Sequence, residues 1–294
     1  MGDYPAAKRI TERIQRLLRP TGHETRLMKA KAWLFEAAME AGELGLAIPG
    51  LQGVRGKTSP RTRIHLEATA LLAICFLRQN RVSEAEPLMG EVLRGFTSIR
   101  TERQRRAFRL EIKKRFEQEG ALAVLRGVGS ERLVAGEIQE EAGKRVQTLT
   151  EDEILTELGS KLPEQVVRRL LEIDEIARKS LPEREVRYLP KPRDIANEGA
   201  VGRTVFGAFR TVLYRSLCDP ESDIYKAWFN QGLGVVLNKK YLGAAIVATM
   251  ANLGIGIKAL AVSAAALIIK FGIEMFCETG RPHEIMRITA GRGS

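Results

Sequence analysis

From Gly243 to Cys277 the chain reads GAAIVATMANLGIGIKALAVSAAALIIKFGIEMFC, a stretch in which only Lys258, Lys270 and Glu274 carry charge. Text this apolar spans a bilayer, enters one conditionally, or fills the centre of a helical domain. A spanning helix needs about 20 consecutive apolar residues. Leu242 to Ile257 supplies 16 before Lys258, and Ala259 to Ile269 supplies 11 more. Asn252, Gly254 and Gly256 lie between the two runs, so a turn at NLGIG makes residues 242–277 a helical hairpin. Its first arm is too short to cross, whereas the second, Lys258 to Cys277, would reach about 30 Å at 1.5 Å per residue. Ile246, Val247, Leu253, Ile257, Leu260, Leu267, Ile268 and Phe271 are the expected apolar contact residues. Ser263, Lys270 and Glu274 fall within about 40° of one another around the second arm and form a narrow polar stripe, with Lys270 and Glu274 spaced to pair. Charges in lipid are costly even when paired. Length and charge therefore rank a buried soluble core first, conditional insertion second and a permanent span last.

The remainder is basic and unevenly so. The net charge is +11 at a pI near 9.8. Residues 1–120 carry 23 basic and 14 acidic side chains, residues 121–190 carry 11 and 14, and residues 191–294 carry 13 and 8. The excess sits at the two ends and favours contact with nucleic acid, anionic lipid or an acidic protein face. Cys75, Cys218 and Cys277 are far apart, lack CxxC spacing and have mostly apolar neighbours, the pattern of buried free thiols in a reducing compartment. The N-terminus has no apolar run behind its charges, so a cytoplasmic location is the expectation, with membrane association on activation.

Helical periodicity runs through almost the whole chain, and the expected fold is all-α. A basic amphipathic segment, Ala6 to Leu18, sets Ile10, Ile14, Leu17 and Leu18 on one side, and a helix over Glu24 to Gly42 comes next; Gly50, Gly53 and Gly56 then read as a loop. In RTRIHLEATALLAICFLRQNRVSEAEPLMGEVLRGF a helix ends near Arg78, the turn QNRV succeeds it, and a second helix starts at Ser83, with small Ala68, Ala73 and Ala85 where helices approach. This resembles one tetratricopeptide-type helical hairpin: Glu84 and Ala85 stand where that family opens its second helix, and Leu72, Ala73 and Leu93 fit its packing positions. The resemblance implies a partner-binding helical array in the N-terminal third.

Thr150 with Glu153 has capping-box spacing, another helix opens after Pro163, and Pro182, Pro190 and Pro192 prevent continuous helix beyond Ser180. The expected organisation is a TPR-like interaction domain over 1–128, a helical connector over 129–180, a proline-rich charged linker over 181–198, and a helical domain over 199–294 carrying the apolar hairpin. Phe206, Phe209, Tyr214, Tyr225, Trp228 and Phe229 supply aromatic cover for that hairpin. Apolar helices sheltered by amphipathic ones resemble the architecture of colicin-like pore formers.

Chemistry is sparse. Gly56-Lys57-Thr58 ends like a phosphate-binding loop, yet Leu51 stands where that loop needs glycine. His23, His65 and His283 have no Cys, Asp or second His at metal spacing. No cofactor and no metal are expected, and the chain is read as a non-enzyme. The strongest cluster, IRTERQRRAFRLEIKKRF, carries Arg100, Arg103, Arg105, Arg106, Arg109, Lys113, Lys114 and Arg115 against Glu102 and Glu111, with Phe108, Ile112 and Phe116 anchoring one side. It is either a solvated helix face or a surface for a partner protein or nucleic-acid phosphates. The expected function is that of a regulator or effector that binds a partner protein and carries a concealed or membrane-inserting hairpin. The alternatives for partner are an anionic membrane and, for an accessory protein using helix 100–115, nucleic acid.

Overall fold

Apolar residues recurring at three- and four-residue spacing make helices, and among the described residues every regular element is one. The computed structural model describes residues 4–95, 101–129, 131–220, 222, 224–226, 240–279 and 285. Arg100, Trp228, Phe229 and His283 lie outside them. The chain divides into two units, Met1–Glu119 with Ile173–Leu189 and His283–Ser294, and Gly120–Glu172 with Pro190–Pro282. This differs from the consecutive blocks read from composition, because apolar faces sort residues by their packing partners rather than by sequence order. Residues 129–172 join the C-terminal unit and 173–189 join the N-terminal one. One of the breaks between the units lies between Leu189 and Pro190.

The first unit opens with α1 (Tyr4–Leu18), α2 (Glu24–Glu40), α3 (Leu44–Gly56), α4 (Arg63–Arg78) and α5 (Val82–Arg94), each packed on the next. Helix α4 is buried from His65 through Leu77, on all sides, and is the central member. Asn80 at φ 59° makes the tight turn into α5, at the QNRV text. The glycine-rich text after Gly42 is a helix, not a loop. Ala47, Leu51 and Val54 are buried at spacings of four and three, which outweighs the cost of glycine and of Pro49 in α3. At Gly50 a Cβ would lie 2.2 Å from Cε1 of Phe35 on α2, so any larger residue there would displace that ring. The Gly-Lys-Thr text thus sits at the C-terminal end of α3, the negative end of the helix dipole, which is the wrong end for phosphate. Helices α6 (Glu102–Leu125), α7 (Ala135–Thr148), α8 (Glu151–Ser160) and α9 (Glu164–Ser180) come next in sequence, and the unit division falls inside α6 and α9. The short α10 (Glu183–Val186) belongs to the first unit.

In the second unit come α11 (Pro192–Ile195), α12 (Glu198–Leu217), α13 (Lys240–Leu253), α14 (Lys258–Phe271) and α15 (Ile273–Thr279). Thr150 caps α8 with Glu153 in the reciprocal box its spacing predicts. Helices α8 and α12 meet backbone to backbone, since a Cβ at Gly202 would be 1.9 Å from the Leu155 carbonyl oxygen. Both α13 and α14 pack on α7. The turn between them is pinned by Gly127 N–H donating to the Gly254 carbonyl at 2.9 Å and Gly256 N–H to the Val128 carbonyl at 3.1 Å.

Helix α14 is 14 residues long and ends at Gly272, whose φ of 78° breaks it from α15. The expected continuous arm to Cys277 is therefore interrupted, and α14 alone measures about 21 Å. Among the described residues no helix is long and apolar enough to cross a membrane. Cys218 and Cys277 are joined by a disulfide with their Cα atoms 5.5 Å apart, which overturns their reading as free thiols. A separation of 59 residues hid the pair, and the cysteine argument for a reducing compartment goes with it. Cys75 is free and buried, as expected.

Candidate functional site

The basic text of α6 is the leading candidate surface in the sequence, and the fold uses half of it internally. Phe108, Ile112 and Phe116 are buried and turn the neighbouring cations inward. Arg109 is buried, ion-paired with Glu185 of α10, and donates to the carbonyls of Arg94 and Gly95. Lys113 is buried against Asp174 at 3.0 Å and also pairs with Glu117. Arg115 meets Glu119 at 2.7 Å and Glu40 at 3.1 Å. Buried carboxylates need such partners, and cations so engaged are not presented to phosphates. Arg106 pairs with Glu102 at 3.5 Å and lies over the Tyr188 ring at 3.7 Å. Arg105 is half-buried, while Arg103 and Lys114 are exposed. Sequence reading missed Glu40, Asp174 and Glu185 because they lie on other helices; Glu117 and Glu119, four residues beyond Lys113 and Arg115, were the signal it could have used.

Beside this, α2, α4 and α6 build a charged interior. Arg78 of α4 contacts Glu119 at 2.8 Å and Glu40 at 3.1 Å, and donates to the Met39 carbonyl at 2.7 Å. Burial desolvates its guanidinium, yet Glu119, joined by Cys75 and Glu36, outweighs this and the pKa is raised. Glu36 of α2 belongs to the same interior, within electrostatic reach of Arg78 and Arg115. It is 4% exposed, and its Oε1 accepts the backbone N–H of Ile285 at 2.7 Å. Ile285 itself is 2% exposed and joins the apolar core of the first unit. Nothing in the residues 281–287 marks this contact in sequence, because it pairs positions 249 apart.

Other titratable groups offer little chemistry. His65 is buried with Nε2 2.8 Å from Glu91 Oε1, and Nδ1 faces the carbonyls of Thr58 and Arg55 at 3.1 and 3.2 Å. Arg55 bridges the same Glu91 at 2.8 Å. No cysteine lies in this cluster; burial pushes the Cys75 thiol up to about 12, keeping it protonated. Among the described residues no group of three or more His, Cys, Asp or Glu is placed to hold a metal ion. A recess lined by Arg106, Arg109, Leu110, Tyr188 and their neighbours has a volume of about 10 Å³, the size of one water.

The apolar candidates of the second unit separate into core and surface. Ile246, Ile257, Leu260, Leu267 and Ile268 are buried, and Val247 and Leu253 are half-buried against the same cluster. Phe271 is exposed at the end of α14, contrary to its expected core position, because Gly272 ends the helix directly after it. The polar stripe also divides: Ser263 is buried, whereas Lys270 and Glu274 are exposed on either side of the Gly272 break, so their helical i,i+4 geometry is lost. Lys258 clasps α7, its Nζ 2.6 Å from Glu141 and 3.1 Å from Glu137. Compared with models of protein families, with curated proteins and with solved structures, the chain gives no match.

Proposed function

We propose that this is a non-enzymatic helical regulator or effector whose first unit binds a partner protein, while its second unit keeps a pair of apolar helices away from water. The observation that carries the reading is the succession α1 to α5, in which each helix packs on its neighbour. The tetratricopeptide-like pair α4–α5 then has α2–α3 as an equivalent neighbour, and stacked pairs of this kind expose a continuous side surface suited to another chain. Support for concealment comes from α14, where Leu260 through Ile268 are nine consecutive buried residues. Association with an anionic membrane would require α13 and α14 to leave α7.

A photo-crosslinking residue placed at Leu46, 48% exposed on α3, tests the array reading. In cells that express the chain natively it should give one discrete protein adduct, and the same residue at Tyr241 in the second unit should give none. Adducts equal in pattern at both positions, or no adduct at Leu46, would remove the reading.

The nucleic-acid alternative is carried by a smaller set than the sequence suggests. Arg103 and Lys114 are exposed on α6, and Arg184 and Arg187 are exposed near Tyr188, whose ring adds the stacking surface that the basic text lacks. Changing Arg103, Lys114, Arg184 and Arg187 to Gln should lower the salt slope of single-strand binding by about 0.7 per lost phosphate contact. Wild-type protein that binds no single strand at low salt sinks this alternative.

A further inference from the structure

Helix α1 keeps its largest aliphatic side chains out of the core. Ile10 and Leu17 are seven residues apart, so they lie on one line along the helix, and they are 59% and 65% exposed. The line that faces α2 and the first unit's core is Tyr4, Thr11 and Leu18, about 100° round the helix. Thr11 is the buried member of that line, while Tyr4 and Leu18 are half-buried. A core gains more from Ile10 and Leu17 than from a threonine, so their exposure gives up burial that a rotated helix would have had. On the other side of the Ile10–Leu17 line, about 100° on, stand Arg9 and Arg16, with Arg13 between. All three arginines are exposed. Glu12, the one acid of α1, points about 160° away from Ile10.

We infer that α1 docks the folded chain on an anionic membrane surface, with Ile10 and Leu17 entering the acyl boundary and Arg9, Arg13 and Arg16 on the lipid headgroups. An exposed aliphatic line bordered by guanidiniums, with the acid turned away, is the arrangement that lets a helix lie in the headgroup layer. The guanidiniums match the charge of lipid phosphates and carboxylates and bond them in pairs of N–H donors. Shape also selects this occupant. Ile10 and Leu17, about 10.5 Å apart along a convex helix, form a ridge rather than a groove. A fluid bilayer conforms to a ridge, whereas a folded partner would have to bring an acid-lined groove to it. The contact requires no helix to leave its place, so it is separate from any release of α13 and α14 from α7. Two aliphatic side chains and three arginines make a weak, reversible anchor that depends on lipid charge and salt.

The test sediments the full-length chain, its disulfide intact, with vesicles of phosphatidylcholine alone or with about 30 mol% phosphatidylserine. The wild type should bind the anionic vesicles about tenfold more tightly than the neutral ones. A basic chain adheres to anionic lipid by charge alone, so the variant that decides keeps the charge: Ile10→Ser with Leu17→Ser should lose about tenfold in affinity for the anionic vesicles. Arg9→Gln, Arg13→Gln and Arg16→Gln together should lose as much, and that loss should shrink at high salt. Wild-type affinity in the serine variant overturns the proposal, as does a wild type that does not distinguish the two vesicles. Where a variant melts early, depth decides instead. A nitroxide on Ile10→Cys should meet oxygen dissolved in the bilayer, while one on Glu12→Cys stays open to an aqueous quencher; equal aqueous access at both positions overturns the docking. Cys75 is buried and leaves the label to the new thiol. The Leu46 adduct is read independently, so the partner-binding reading stands or falls apart from this result.

Discussion

Ile268→Lys is expected to cost the second unit about 4 kcal/mol or more, whereas Ile269→Lys, one residue on, should cost less than about 1 kcal/mol. Ile268 is 1% exposed at the end of the buried run on α14, and Ile269 is 36% exposed. At position 268 the ammonium group would have to shed its water among apolar side chains of the core that α14 shares with α7, α8 and α12. A domain with an ordinary stability of about 5–15 kcal/mol loses much of it in that exchange. Position 269 leaves the charge in solvent. Urea unfolding of the two full-length variants measures the difference, and an unchanged midpoint for Ile268→Lys would mean that α14 leaves its neighbours at little cost. That outcome would favour the conditional-insertion side of the proposal, because helices that enter a bilayer must first be easy to release.

Periodicity carries the local half of this fold. Helix start and stop signals place the α4–α5 turn within a residue or two, and the Thr150 box is readable because both of its hydrogen bonds are made within four residues. Glycine misleads at α3, where its helix cost is outweighed by Ala47, Leu51 and Val54 in the core and by the room Phe35 needs beside Gly50. Pairing at a distance is the part that sequence does not reveal. A run of cations looks the same in sequence whether solvent or buried carboxylates surround it, and the acids that receive Arg109, Lys113 and Arg115 come from α2, α9 and α10 as well as from α6. Ser263 shows the same limit at the scale of one helix: a hydroxyl grouped by angle with Lys270 and Glu274 is buried because α14 is covered on that side too. The Glu36–Ile285 hydrogen bond is invisible in sequence for this reason, since an acid on α2 gives no hint of a main-chain donor at position 285.

Reducing the Cys218–Cys277 disulfide, or replacing both cysteines by Ser, should destabilise the second unit by about 4 kcal/mol, the chain-entropy value for a loop of roughly 60 residues. The loop it closes contains all of α13 and α14, so both ends of the apolar segment are held to the end of α12 and to α15. Calorimetry of the full chain with and without reductant should show the loss in the second unit while α1–α5 keep their transition, because the bond lies wholly in Gly120–Glu172 with Pro190–Pro282. The same samples address the apolar stretch. While the disulfide is intact, anionic vesicles should retain their dye, since α14 cannot be drawn out without carrying α15 and the end of α12 with it. Dye release on reduction alone would support conditional insertion and make the disulfide its restraint. Retention in both states, with the expected loss of stability, would leave α13 and α14 as a core that the disulfide staples, and would confine the functional reading to the helical array. A transition that reductant does not shift would show that the covalent tie contributes nothing to the fold, and the vesicle result would then have to be explained by packing on α7 alone.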